Sequence, residues 1–300
     1  DPLLEGAAYP SCFTSFTPVD INNRGEVVGM NTKSDGYYGI PAQWDSRGEV
    51  SILPFTKQWL SSDQNKWMGA SFPAGITDDG LVVGAGVTPD DQLPQIVTWK
   101  NGERISNTYN ESVPSNAELV VGADFVDFCL NNEGTIAGRT EHPEHDLYVS
   151  SRSGETKIAG ANGFDIVRIN DRGYVLVETY GSYGGPVYVW DTHSGSVTQL
   201  PNSDGYSPLD INNNNDVIAC HRAIWYGGEG DPTDLSSNII NLSAHEQLSR
   251  IYRINDEGVI TAQVYDEPNK KTRSGLLVPT SISPQEYQAA EPIDPRERVG

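Results

Sequence analysis

Apolar and polar positions alternate along this chain in short runs that keep a fixed order. An apolar residue is followed by two positions rich in Asn and Asp, a variable residue, a Gly, a spacer and a second apolar pair. The order first runs from Ile21 to Gly29 and returns from Ile76, Leu130, Ile169, Ile211 and Ile254. The Gly position reads Gly25, Gly80, Gly134, Gly173, Asn215 and Gly258. Gly and Asn are the residues that most readily take positive φ, so Asn215 is the exception a left-handed turn tolerates best. Asn and Asp ahead of it fold their side chains onto the local backbone as Asx turns. Short apolar runs bounded by such a turn predict a tight β-hairpin.

The return strand holds Val27-Val28, Val82-Val83, Ile136-Ala137, Val175-Leu176, Val217-Ile218 and Ile260-Thr261. Most of these are β-branched and suit a buried pleat. A small residue follows in five copies (Gly29, Gly84, Gly138, Ala219, Ala262), with Val177 as the departure. It predicts close approach of another strand. A second half then ends in a large apolar residue near a turn, as in Trp44-Asp45, Trp99-Lys100, Trp190-Asp191 and Trp225-Tyr226. Another strand follows a Gly, as in Gly48 to Leu53 and Gly195 to Leu200. Four short strands per unit, with copies 39 to 55 residues apart, match a blade of a β-propeller. The expected fold is all-β: a six-bladed β-propeller of four-stranded antiparallel blades, formed by residues 1–300 as one domain. Copy six supplies strands around Ile251, Ile260 and Leu276 but no clear fourth. The N-terminal segment Leu3 to Tyr9 is therefore expected to complete that blade and close the ring, and residues 284–300 to form an extension.

Composition narrows the partners. A net charge of −21 and a pI near 4.4 argue against nucleic acid, whose phosphates need clustered Lys and Arg. They argue equally against an anionic membrane surface. No apolar run is long enough to cross a bilayer. Three cysteines, Cys12, Cys129 and Cys220, are too few for a disulfide framework, and Cys129 and Cys220 read as buried strand thiols.

Candidate chemistry concentrates in the inserts. The stretch from Phe55 to Phe72 carries Trp59 and Trp67 among polar residues, and the segment Tyr180 to Gly185 carries Tyr180 and Tyr183 in a Gly-rich setting. Aromatics on long loops stack on sugars or pack on protein partners, although capping of the core explains the Trp pair equally well. The copy-five turn places Asp210, Asn212, Asn214 and Asp216 at alternate positions, an oxygen pattern suited to Ca²⁺, which stands beside the plain turn reading. No other cofactor is indicated. Glu141 to Asp146 holds a His pair, but Pro143 and the lack of nearby Cys spoil a zinc reading. No nucleophile elbow appears. Carboxylates for glycoside hydrolysis abound, without any sign of which ones meet.

Ile21 to Gly29, followed by Ala42 to Trp44 and Gly48 to Leu53, resembles the HAF-type extracellular repeat of bacteria. Pro41-Ala42-Gln43-Trp44 stands where the His-Ala-Phe triplet would be. The resemblance implies a β-propeller located outside the cell or in the cell envelope, and it supplies no catalytic residues. The expected function is a binding module that presents one propeller face to a carbohydrate or protein ligand through Trp59, Trp67, Tyr180 and Tyr183. The alternatives are a polysaccharide lyase or glycoside hydrolase with its site at the central cleft, and a self-assembling surface protein.

Overall fold

The computed structural model describes residues 13–33, 39–45, 47, 49–54, 57–59, 67–69, 71–87, 94–105, 128–140, 145–159, 163–179, 181, 184–237, 239 and 242–279. Blade one holds β1 (Phe13–Ile21), β2 (Val27–Lys33), β3 (Gly39–Trp44) and β4 (Val50–Ile52). A two-stranded ribbon follows, β5 (Lys57–Trp59) and β6 (Trp67–Gly69). Blade two is β7 (Ser71–Ile76), β8 (Leu81–Val87), β9 (Pro94–Lys100) and β10 (Glu103–Ile105). Blade three is β11 (Phe128–Leu130), β12 (Ile136–Arg139), β13 (Leu147–Ser150) and β14 (Thr156–Ile158). Blade four is β15 (Phe164–Ile169), β16 (Tyr174–Thr179), β17 (Val187–Asp191) and β18 (Val197–Gln199). Blade five is β19 (Pro208–Ile211), β20 (Val217–Ala219), β21 (Ala223–Trp225) and β22 (Thr233–Asp234). Blade six has three strands among the described residues, β23 (Glu246–Ile254), β24 (Ile260–Asp266) and β25 (Lys271–Leu277). Every blade is an antiparallel meander in sequence order, and the six form the ring of a β-propeller. The expected closing strand, Leu3 to Tyr9, the C-terminal extension and Cys12 lie outside the described residues. Among the described residues, no helix is long and apolar enough to cross a membrane.

The core is divided between the blades. One cluster joins Val28 and Leu53 of blade one to Val82 and Trp99 of blade two, and a second joins Leu81 and Val83 to Leu130 and Tyr148 of blade three. Three more repeat the arrangement around the ring. This is why each unit is a sandwich filling with two apolar faces and cannot bury itself without a neighbour.

The Asn-rich hairpin tips stitch these blades together. Asn170 is 4% exposed. Its side-chain oxygen accepts the backbone N–H of Arg172 and Tyr174 at 3.1 and 2.9 Å, closing its own turn. Its amide nitrogen donates to the Asn212 carbonyl of the next blade at 2.8 Å. Asn22, Asn131 and Asn212 donate in the same way to Thr77, Asn170 and Asn255 carbonyls. Asp would close the turn but could not donate forward, so the position calls for Asn. One residue on, Asn and Asp alternate around the ring: Asn23, Asp78, Asn132, Asp171, Asn213, Asp256. The backbone N–H of Asn23, Asn132, Asp171 and Asn213 each meets the side-chain oxygen of the next member at 2.8 Å. An even number of blades lets this alternation close without setting two Asp side by side.

The departures from the repeat are used. Asn215 sits at φ 64°, and its side-chain oxygen accepts from Asn170 at 3.0 Å, which Gly could not. Thr77 has no amide to extend to blade three, and there Arg152 of blade three grips Asp79 of blade two with both terminal nitrogens, at 3.0 and 3.2 Å. Those bonds, with others from Thr77 and Lys100, hold the Asp79 carboxyl well below the usual carboxylate range. The small residue after the return strand is required by its own blade: a Cβ on Gly84 would lie 2.1 Å from the Phe72 carbonyl, and one on Gly138 would lie 2.6 Å from the Tyr148 ring. The aromatic before the turn is a lock as well as core, since the indole N–H of Trp99 donates to the Pro54 carbonyl at 2.6 Å and that of Trp225 to Pro201 at 2.9 Å.

Candidate functional site

Strand direction sorts the connections. Innermost strands run toward the Asn tips, and the meander then puts every link from second to third strand, and every link between blades, on the opposite face. The described strand ends bounding residues 55–70, 106–127 and 180–186 all belong to that face. The ribbon β5–β6 rises there, with Trp59 and Trp67 as register partners. Tyr180 and Tyr183 lie outside the described residues.

The ring axis carries a feature that the repeat alignment points to only indirectly. In blades one, two, four, five and six the innermost strand bulges, with Val19, Ala74, Val167, Leu209 and Tyr252 left out of register. A bulge re-aims the next side chain. The residues so placed are Asp20, Gly75, Arg168, Asp210 and Arg253, with Cys129 at the same repeat position in blade three. They form a belt across the axis. Arg168 Nε donates to Asp210 Oδ1 at 3.2 Å, and Arg168 also reaches Asp20 of the opposite blade at 3.9 Å. Asp20 accepts the backbone N–H of Ile76, and Asp210 that of Ile254, each at 3.0 Å and each from the following blade. Gly75 keeps the space beside them open, since a Cβ there would lie 3.0 Å from both Asp20 Oδ2 and Leu130, a tight contact.

Burial sets the protonation tendencies. Desolvation lifts the Asp20 carboxyl above its ordinary value against the attraction of Arg168. Arg168 is desolvated too, yet Asp210 and Asp20 outweigh that and hold its proton more firmly than usual. Arg253, although half of its side chain is exposed, is pushed down, first by desolvation and then by the charge of Arg168. Burial pushes the Cys129 thiol up to about 12. A thiol so protonated is a poor nucleophile. Iodoacetamide at neutral pH is therefore expected to leave Cys129 unmodified in the native protein and to alkylate it after denaturation. Mass mapping of the Cys129 peptide checks this, and native alkylation at the rate of a free thiol would contradict it.

A pocket of about 170 Å³ lies on the insert side of this belt. Val19, Met30, Phe72, Ala74, Phe128 and Val167 form apolar walls, and Arg168, Arg253 and Cys129 form its polar end. Because the Asp20–Arg168 contact crosses the axis below it, the mouth faces the insert side. Both axial carboxylates are engaged by Arg168 and by backbone N–H groups.

The copy-five oxygens are likewise engaged. Asp210 lies in the belt. Asn212 Oδ1 accepts from the backbone of Asn214 and Asp216, Asn214 donates its amide to the Asp256 carbonyl, and Asp216 accepts from Asn212 and from the Gly227 N–H. A cation there would have to displace those donors. Among the described residues, no group of three His, Cys, Asp or Glu side chains is placed to hold a metal ion. Cys220 departs from the strand reading. It opens a turn after β20 and is half-buried, its sulfur accepting the Ser207 N–H.

The repeat aligns Asp20, Cys129 and Asp210 at one position, to which the hairpin pattern alone gives no role. The available signal was the charge at that position, two acids and two bases between apolar neighbours, together with Pro18, Pro73 and Pro208 two residues earlier. Proline inside an otherwise regular strand marks an edge or a bulge.

No family model matches this chain, and no curated protein matches it. Solved structures do. Puromycin hydrolase superposes with a TM-score of 0.51 at 12% identity, over 88% of this chain and 47% of that one. The oligogalacturonate lyase of Vibrio parahaemolyticus superposes with a TM-score of 0.51 at 9% identity, over 88% and 78%. TolB from Acinetobacter baumannii gives 0.45 at 12% identity, over 79% and 59%, so this chain spans little more than half the length of that TolB. At these identities the likeness is one of fold.

Proposed function

We propose that the protein is a binding module that receives a carbohydrate or protein ligand on the face bearing the long connections. The observation that carries this reading is directional. The mouth of the axial pocket and the strand ends bounding the three long inserts share one face, while the opposite face is occupied by tips hydrogen-bonded to one another. Rigid blades presenting variable loops over a concave centre are the usual arrangement of a recognition surface. Trp59 and Trp67 are register partners on the ribbon that links blades one and two. A catalytic reading is less well supported, because the axial carboxylates are engaged in ion pairs and backbone contacts. A location outside the cell or in its envelope belongs to the same proposal and rests on the repeat resemblance.

The test is a glycan array and a peptide array probed side by side, with a lyase and hydrolase assay on uronate polymers. Saturable binding that weakens at least tenfold in the Trp59→Ala/Trp67→Ala double variant, without product, is the expected result. Product formation would overturn the reading, as would two blank arrays.

A further inference from the structure

The four axial charges are not used equally. Arg168 is 12% exposed and lies between two carboxylates. Arg253 is 49% exposed. Its Nη1 donates to the Leu209 carbonyl at a long 3.4 Å and stands 3.9 Å from Asp210 Oδ1, outside hydrogen-bond reach. A guanidinium carries five N–H donors in a planar fork, and among the described residues most of this one, which lines the pocket, has no acceptor. The charges that reach it are Arg168, Asp210 and Asp20, together with the Cys129 thiol. Arg168 opposes its charge, and Arg168 itself absorbs much of the field of both carboxylates. The other described residues that line the pocket are apolar. A fork of donors at the end of an apolar pocket is complementary to a carboxylate joined to an apolar body. About 170 Å³ is slightly more than the ~150 Å³ of a cavity known to hold benzene, room for one branched or ring-sized group.

We infer that the axial pocket binds a carboxylate attached to a small branched apolar group, held by Arg253 with the group against Met30, Phe72 and Phe128. This rests on the binding-face reading, since the carboxylate must enter from the insert side. Two sources share the chemistry: a free short-chain acid, and the C-terminal Leu or Val of a protein partner. An acidic side chain inside a chain fits less well, because its carboxylate is not flanked by a branched apolar group.

The test titrates the whole protein with isovalerate, N-acetyl-leucine and N-acetyl-leucinamide, followed by NMR shift changes. Both acids are expected to bind saturably and the amide at least roughly tenfold more weakly, the loss of a charge-assisted bond. Arg253→Gln is expected to remove the preference for acid over amide, whereas Arg250→Gln, an exposed arginine of the same strand, keeps it. Should Arg253→Gln fail to fold, the comparison of acid with amide on the native protein decides by itself. Tighter binding of N-acetyl-leucine than of isovalerate assigns the carboxylate to a chain terminus, and the reverse to a free acid. Equal binding of acid and amide, or no binding of either, overturns the pocket assignment. A positive array beside that result leaves the binding face standing, and blank arrays with the acids bound would sink the face alone.

Discussion

Replacing Arg168 with Met is expected to destabilise the protein by about 3–5 kcal/mol, the cost of removing one partner from a buried ion cluster. Asp20 and Asp210 would face each other's field across the axis with no buried cation between them, and only the half-exposed Arg253 nearby. Chemical denaturation at neutral pH measures the loss. A change below about 1 kcal/mol, the range of surface ion pairs, would mean that water already solvates the belt. The contrasting variant is Asp20→Asn. It keeps an acceptor for the Ile76 N–H and leaves Arg168 paired with Asp210. Because folding raises the Asp20 pKa, the stability linked to its protonation is fully present below the unfolded value of 3.8. It is lost as pH rises through the folded value. Asp20→Asn is therefore expected to be tolerated at neutral pH and to remove that part of the acid-side pH dependence.

Asn170→Asp is expected to cost about 3 kcal/mol, from lost hydrogen bonds and buried groups left unsatisfied. The carboxylate still closes its own turn on Arg172 and Tyr174. It cannot donate to the Asn212 carbonyl or to Asn215, and it sets a buried negative charge against both oxygens. Thermal and denaturant unfolding measure the loss. The same change at Asn23, which is exposed, should cost far less. An effect at Asn170 no larger than at Asn23 would show that the forward bond of the buried amide adds nothing to the joining of blades four and five.

Each hairpin was legible because turn chemistry is local: Gly25 or Asn215 accepts positive φ, and the Asx residues before it bond within a few positions. The number of blades followed from counting those turns. The forward bond of Asn170 was not legible, since a turn alone would accept Asp as readily. The alternation of Asn and Asp one residue later was visible, but its meaning needed a neighbouring tip. Cys220 was misplaced because a turn directly after a short strand looks like more strand in an apolar stretch.

The candidate site divides in the same way. Trp59 and Trp67 are legible as aromatics on an insert, and the ribbon that makes them register partners comes from the pairing of two short strands. Arg168 and Arg253 are not legible as site residues. A charged residue in a strand reads as solvent-facing, and only the bulge at Val167 and at Tyr252 turns these toward the axis.

The sequence by itself determined the repeat, its hairpins and hence the six blades, because strand alternation and left-handed turns are decided by neighbours along the chain. The tertiary structure alone decided which face receives the long connections, and that Asp20, Arg168, Asp210 and Arg253 meet. Those side chains come from blades one, four, five and six, and a pairwise distance across a ring exists only once the ring has closed.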